Sequence, residues 1–341
     1  MTTIKFSGLC IAMCVAMAAH ADVKPVTVEN FVRAESALYF GAVVKEGGFG
    51  RLNHRREVAR LDQQTVIRLN RDTLYSAIVI DLDAAPAIVE MPDSGDRFMS
   101  LQVINEDHHT KAVWYDKGRY HLAREDVGTR YVMIVARTFV NPGDPRDLEQ
   151  AHTVQDALRV EQSEVGTFEV PDWDPASQKR VRDALLTLAS TLPNTNGMFG
   201  DEHEVDPVRH LIGAAFGWGG QPESEATYLN VTPPANDGET IYRMTVAEVP
   251  VDGFWSISVY NAEGYFEPNE LNANTLNNVT AEKNADGTIL VQFGGCQAET
   301  PNCLPITEGW NYMVRLYQPD DSILDGSWSF PVAEPLPEGN L

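Results

Sequence analysis

Apolar positions along the chain follow two rhythms. Between residues 28 and 44 they recur at intervals near three and four, at Phe31, Ala34, Leu38, Phe40-Gly41 and Val44. That spacing predicts a helix, capped by Val26-Thr27-Val28-Glu29 and stopped at Gly47-Gly48. From residue 65 to 140 the pattern changes to alternating or β-branched runs. Ala77-Ile78-Val79-Ile80-Asp81-Leu82, Ala87-Ile88-Val89-Glu90-Met91, Phe98-Met99-Ser100-Leu101-Gln102-Val103-Ile104 and Tyr131-Val132-Met133-Ile134-Val135-Ala136 read as strands. Pro86, Pro92-Asp93-Ser94-Gly95-Asp96 and Lys117-Gly118 mark turns between them. Short strands at roughly ten-residue spacing predict a sandwich or barrel.

Helical spacing returns between residues 141 and 220. Segments 144–160, 174–192 and 208–216 are the predicted helices. The second is the clearest: Asp174 is placed to cap it, Pro175 takes its first position, and Val181, Leu185, Leu188 and Leu192 form its apolar face. Strand text resumes from 227 to 331, with turns at Asn236-Asp237-Gly238, Asn261-Ala262-Glu263-Gly264 and Asn284-Ala285-Asp286-Gly287. The predicted class is mainly β with a helical insert: two antiparallel β-sandwich domains linked by helices. The expected layout is an N-terminal helix and first β-domain over 22–140, a helical linker over 141–220 and a second β-domain over 221–341.

The first residues change the picture of where the protein works. Lys5 precedes an apolar run over residues 6–19, and Ala19-His20-Ala21 fits a small-x-small cleavage site. The run is short for a membrane span and Asp22 follows it at once. The expectation is a signal peptide over 1–21, cleaved after Ala21, and a soluble periplasmic or secreted protein. Met13 before Cys14 argues against a lipoprotein. Export leaves Cys296 and Cys303 as a pair, which reads as one disulfide. Two thiols alone do not complete a zinc shell.

Charge is strongly unbalanced: 26 basic against 49 acidic residues give a net −23, and losing Lys5 makes it −24. This excludes nucleic acid and anionic membrane surfaces as natural partners. There is no Gly-x-Ser-x-Gly elbow and no phosphate loop.

Three motifs carry a family resemblance. The first is Asn70-Arg71-Asp72-Thr73-Leu74-Tyr75-Ser76, followed by Ile80-Asp81-Leu82 and Pro86. The second is Gly217-Trp218-Gly219-Gly220-Gln221-Pro222, leading to Ala226-Thr227-Tyr228. The third runs from Asp252-Gly253-Phe254-Trp255-Ser256-Ile257-Ser258-Val259-Tyr260-Asn261 through Tyr265-Phe266 and Asn269. It continues with Asn302-Cys303-Leu304-Pro305 and Trp310-Asn311-Tyr312-Met313-Val314-Arg315-Leu316-Tyr317. In this order they resemble the bacterial two-part family of domains of unknown function 1254 (N-terminal) and 1214 (C-terminal). The resemblance implies two β-sandwiches of jelly-roll type with helices between them, and brings no established catalytic residues. Members often have Trp where Cys303 stands, so this chain departs there.

Candidate chemistry comes from the residues themselves. Asp72 is a candidate proton acceptor or partner for Arg71, and Tyr75 a donor to a substrate oxygen. The plain alternative is a turn, with Asn70 and Asp72 bonding their own backbone and Tyr75 in the core. Arg315, between Val314 and Leu316, needs a partner if buried and could clamp a carboxylate. Asp72, Tyr75 and Arg315 are therefore the catalytic candidates. Asn70, Trp218, Tyr260, Asn261 and Asn269 are the ligand-binding candidates. Alternation puts Trp255, Ile257 and Val259 on one strand face and Phe254, Ser256, Ser258 and Tyr260 on the other. Asp107 and His109 are the metal candidates, set against a plain hydrogen-bonded reading. The oxygens of Asp201-Glu202-His203-Glu204-Val205-Asp206 would suit calcium, although the spacing is not that of an EF-hand. No cofactor is expected. The expected function is binding, or hydrolysing or modifying, a small organic or carbohydrate ligand near the seam between the halves. The other reading is an envelope binding or assembly protein that forms homo-oligomers through its sheet faces.

Overall fold

The computed structural model describes residues 23–64 and 67–337. The expected signal peptide and its cleavage point lie outside the described residues. Strand outweighs helix, several antiparallel sheets are present, and no sheet of the described residues closes into a barrel. No described helix is long and apolar enough to cross a membrane.

The first half runs α1 (Phe31–Lys45), β1 (Asn53–His54), β2 (Thr73–Asp81), β3 (Ala87–Met91), β4 (Met99–Asn105), β5 (Thr110–Trp114) and β6 (Gly118–Leu122). A one-turn α2 (Arg124–Val127), β7 (Tyr131–Phe139), α3 (Pro145–Ala157) and β8 (Arg159–Gln162) follow. One sheet has the order β1-β2-β7-β4-β5 and a smaller one β6-β3-β8. Alternation along β2 and β7 sends Ile78, Ile80, Val132 and Ile134 into a core shared with Val89 and Met91 of the smaller sheet. The opposite face carries Val79, Tyr131 and Met133, which pack on Phe40 of α1.

Two boundaries differ from the sequence reading. The N-cap of α1 is Asn30, three residues later than expected, and its side chain accepts from the Thr27 N–H instead of capping the helix. The helix predicted over 144–160 stops at Ala157. Leu158 is extended and buried in the first core, and Arg159–Gln162 pairs with β3. A sheet edge supplied bonds that local helical spacing could not register.

α4 (Pro175–Ala189) and α5 (Pro207–Phe216) form a small helical core with α1, through Phe31, Ala34, Leu185 and Ile212. α3, α4 and α5 share one start signal. Asp144, Asp174 and Asp206 each accept a backbone N–H of the first turn, and Pro follows each at the first helical position.

The second half contains β9 (Ala226–Val231), β10 (Tyr242–Val246), β11 (Trp255–Tyr260), β12 (Thr275–Asn277) and β13 (Ile289–Phe293). It ends with β14 (Cys303–Leu304), β15 (Asn311–Tyr317), a short α6 (Asp321–Leu324) and β16 (Glu334–Pro335). The sheets are β12-β11-β15-β9 and β14-β13-β10-β16. Trp255, Ile257, Val259, Tyr312, Val314 and Leu316 of one face Tyr242, Met244, Val291 and Phe293 of the other, so much of the C-terminal aromatic content is core. Cys296 and Cys303 are bonded, with Cα atoms 5.6 Å apart.

Candidate functional site

Each half keeps one sheet face out of its own core, and these faces meet. By alternation, β2 and β7 turn Tyr75, Ala77, Met133, Val135 and Arg137 to the seam. From the other side come Tyr228 and Asn230 of β9 and Met313, Arg315 and Tyr317 of β15. Between them lies a cavity of about 580 Å³. Tyr39 of α1, the loop Arg68-Leu69-Asn70, and Gly217-Trp218-Gly219-Gly220 complete its wall. The volume suits a small organic ligand.

Asn70 organises the hydroxyls. Its amide has three acceptors in reach for two N–H groups, Thr73 Oγ1 at 3.2 Å, Tyr75 Oη at 3.2 Å and Tyr317 Oη at 3.1 Å, while its carbonyl oxygen accepts from the Asp72 N–H at 2.8 Å. A phenol that accepts from this amide keeps its own proton for another acceptor.

Arg315 is 2% exposed. It donates to Ser258 Oγ at 2.8 Å, to the carbonyls of Arg68 and Leu69 at 2.9 and 3.2 Å, and to Tyr260 Oη at 2.7 Å. Burial opposes its charge, but Tyr260, Tyr317 and Asp72 outweigh that and raise its pKa further. Arg137, also buried, donates to Gln102 Oε1 at 2.9 Å and the Gly219 carbonyl at 3.2 Å, and lies over the Tyr75 ring.

Trp218 is stacked between Tyr39, with centroids 4.7 Å apart, and His108, at 5.1 Å. The stack continues to His210 at 5.3 Å and on to His109 at 4.7 Å. His108 Nε2 accepts the Gly219 N–H at 2.8 Å, so a neutral ring holds its proton on Nδ1, where no described group receives it. Burial pushes the pKa of His108 well down, and His210 and His109 add to the effect.

The sequence candidates divide into two groups. Asn70, Tyr75, Trp218 and Arg315 line the cavity together. Asp72 sits behind this wall, fully buried, and accepts from Ser256 Oγ at 2.6 Å and Thr275 Oγ1 at 3.1 Å. Burial raises its pKa, against the opposing charge of Arg315 and these hydroxyl bonds. Tyr260 is buried and bridges Arg315 to the Leu69 carbonyl. Asn261 closes a turn by accepting from the Glu263 and Tyr265 N–H groups. Asn269 braces its own loop through Ala273, beside the disulfide and away from the seam.

Asp107 is held by Arg33 and His109 by its stack on His210. In the acidic loop, Asp201 is paired with Lys111, Glu204 accepts from the Asp201 N–H, and Asp206 caps α5. No cluster of three or more His, Cys, Asp or Glu side chains among the described residues is arranged to hold a metal ion.

Sequence reasoning missed Arg137, Arg68 and Tyr39 as cavity residues. Arg137, between Ala136 and Thr138 in an apolar strand, carried the same mark that singled out Arg315. Arg68 lies in a loop, where a charge draws no attention.

A family model described as Protein of unknown function (DUF1254) matches residues 49–115, and Protein of unknown function (DUF1214) matches 230–321. No curated protein matches the chain. Among solved structures, the VPA0106 protein from Vibrio parahaemolyticus is similar in fold. Its TM-score is 0.70 at 18% identity, over 91% of this chain and 98% of that one. An uncharacterized protein from Burkholderia cenocepacia aligns at a TM-score of 0.47 and 13% identity, over 90% of this chain and 88% of that one. The two family models match in the order that the sequence motifs led us to expect, DUF1254 in the N-terminal part and DUF1214 in the C-terminal part.

Proposed function

We propose that this protein binds a small organic molecule in the seam cavity. One observation carries the reading. The three segments behind the family resemblance, far apart along the chain, all reach this one space. Asn70 and Tyr75 come from the first, Trp218 and its glycines from the second, and Met313, Arg315 and Tyr317 from the third. Protein interiors are packed nearly as densely as crystals, so joining two sheets does not require a space of this size between them. Aromatic walls and a few convergent polar groups are what a ligand site needs.

The proposal is for binding. Asp72 is committed to Ser256 and Thr275, which favours a structural role for that carboxylate over proton transfer to a ligand. We read the paired sheets of each half as jelly-roll-like sandwiches, with the cavity as the joint between them. The disulfide and the charge suit a soluble protein outside the cytoplasm, in line with the expected signal peptide.

Filling the space tests the reading. Ala77 faces the cavity from β2, and Ala77→Phe places a ring there. In a ligand-observed NMR screen of neutral and charged aromatic fragments, binders of the wild type should be lost or weakened at least about tenfold in the folded variant. Binders that ignore Ala77→Phe, or a screen with none, would remove the cavity as the site.

A further inference from the structure

We infer that the occupant of this cavity is an organic acid, its oxyanion met by Arg68, Arg137 and Arg315 and its aromatic or apolar body by the surrounding rings. The inference rests on the seam cavity being the ligand site and adds the ligand's charge.

Elsewhere in the molecule several part-buried arginines meet a carboxylate, although Arg71 and Arg209 are held by neutral oxygens alone. Arg97 is paired with Asp147, Arg130 with Asp81 and Arg182 with Glu35. At the cavity three arginines without such a partner come together. Arg68, Arg137 and Arg315 all line it, and among the described residues none has a carboxylate in ion-pair reach. The protein has 49 acidic residues to supply one. Asp72 is the nearest compensation for Arg315, and it acts from behind the wall through space. Among the described residues Glu46 is the one carboxylate residue of the lining, and it is already engaged by Arg55.

The neutral partners of Arg315 and Arg137 fix those guanidiniums in place without cancelling their charge. Arg68 has less. Its side chain makes no hydrogen bond among the described residues, and its buried Nη1 has no partner. It rests above the Tyr260 ring at 5.5 Å, and burial, with the neighbouring Arg315 charge, lowers its pKa. A buried guanidinium nitrogen without an acceptor is costly, and an incoming oxyanion removes that cost.

The hydroxyls point the same way. Tyr75 and Tyr317 both lie within reach of the Asn70 amide, and a phenol that accepts from it leaves its own O–H to donate. The site therefore has an excess of donors and positive charge over acceptors, inside a chain whose net charge is −23. Tyr39, Trp218, Phe199 and Met133 supply the flat and apolar walls for the rest of the molecule.

The test compares 2-naphthoate with its neutral amide, 2-naphthamide, by isothermal titration calorimetry on wild type, Arg68→Gln and Ala77→Phe. Arg68→Gln removes a side chain with no hydrogen bonds to lose, and a circular dichroism melt checks that it folds. Naphthoate should bind at least about tenfold more tightly than naphthamide, lose about tenfold in Arg68→Gln, and weaken with added salt. Equal binding of the two probes, or no change in Arg68→Gln, overturns the anion inference and leaves the cavity standing if Ala77→Phe blocks both. If neither probe binds the wild type, or both bind Ala77→Phe unchanged, the inference and the cavity reading fall together.

Discussion

His108 holds a neutral imidazole away from water, with one nitrogen on the Gly219 N–H and the other without a partner. Its folded pKa lies well below 6.5, first through burial and then through His210 and His109. The unfolded ring takes up a proton near pH 6.5 while the folded ring refuses it, so stability is full above that pH and falls as pH drops below it. The slope per histidine is at most about 1.4 kcal/mol per pH unit. His54 and His109, also lowered first by burial, act in the same sense. Urea unfolding should therefore show stability falling from pH 7 to pH 5, and His108→Gln should flatten that fall without abolishing it. An unchanged slope would mean His108 takes up its proton in the folded state. At this scale the sequence showed some residues and hid others. Arg315 was visible because a charge inside an apolar strand needs a reason. Tyr260 and Asn261 were polar groups at a strand end, and nothing in their neighbours showed that one would brace Arg315 and the other a turn.

Strands were the most legible elements, because alternation is a local property that the finished sheet preserves. The split of Trp255, Ile257 and Val259 from Ser256, Ser258 and Tyr260 survives intact: one set is core and the other faces the seam. Helix ends were harder, since β8 becomes a strand only because β3 offers an edge. The Cys296–Cys303 staple was readable as an even cysteine pair in a chain expected to be exported, and it closes a short loop before β14. Such a closure contributes about 2–3 kcal/mol by restricting the unfolded chain. Reduction, or replacement of both cysteines by serine, should lower the unfolding free energy by about that amount in denaturant titration. A loss under about 0.5 kcal/mol would show that the unfolded loop is already restricted.

For the whole molecule, the pairing of the halves was not legible. Alternation tells which residues share a face but not which distant face will meet it. Asp72 was singled out as chemistry, and its actual place is a buried joint: a carboxylate from the first half bonded to Ser256 and Thr275 of the second. Asp72→Ala leaves both hydroxyls without their acceptor and Arg315 without its nearest negative charge, and should cost about 2–4 kcal/mol. Far-ultraviolet circular dichroism and tryptophan fluorescence should report one coincident transition in the wild type, because the halves share buried polar contacts. Separate transitions in Asp72→Ala but not in the wild type would place the coupling at this joint. Two transitions in the wild type would refute it.

The joint also constrains how such a protein can change over generations. Arg315 is seated on the carbonyls of Arg68 and Leu69, and Asp72 on hydroxyls more than 180 positions further along the chain. Neither half carries a complete set of partners. A recombination event that exchanged one half between relatives would deliver a buried charge or carboxylate to a face not shaped for it. The halves are therefore bound to travel together, and changes on one seam face are tolerated only where the other face answers them.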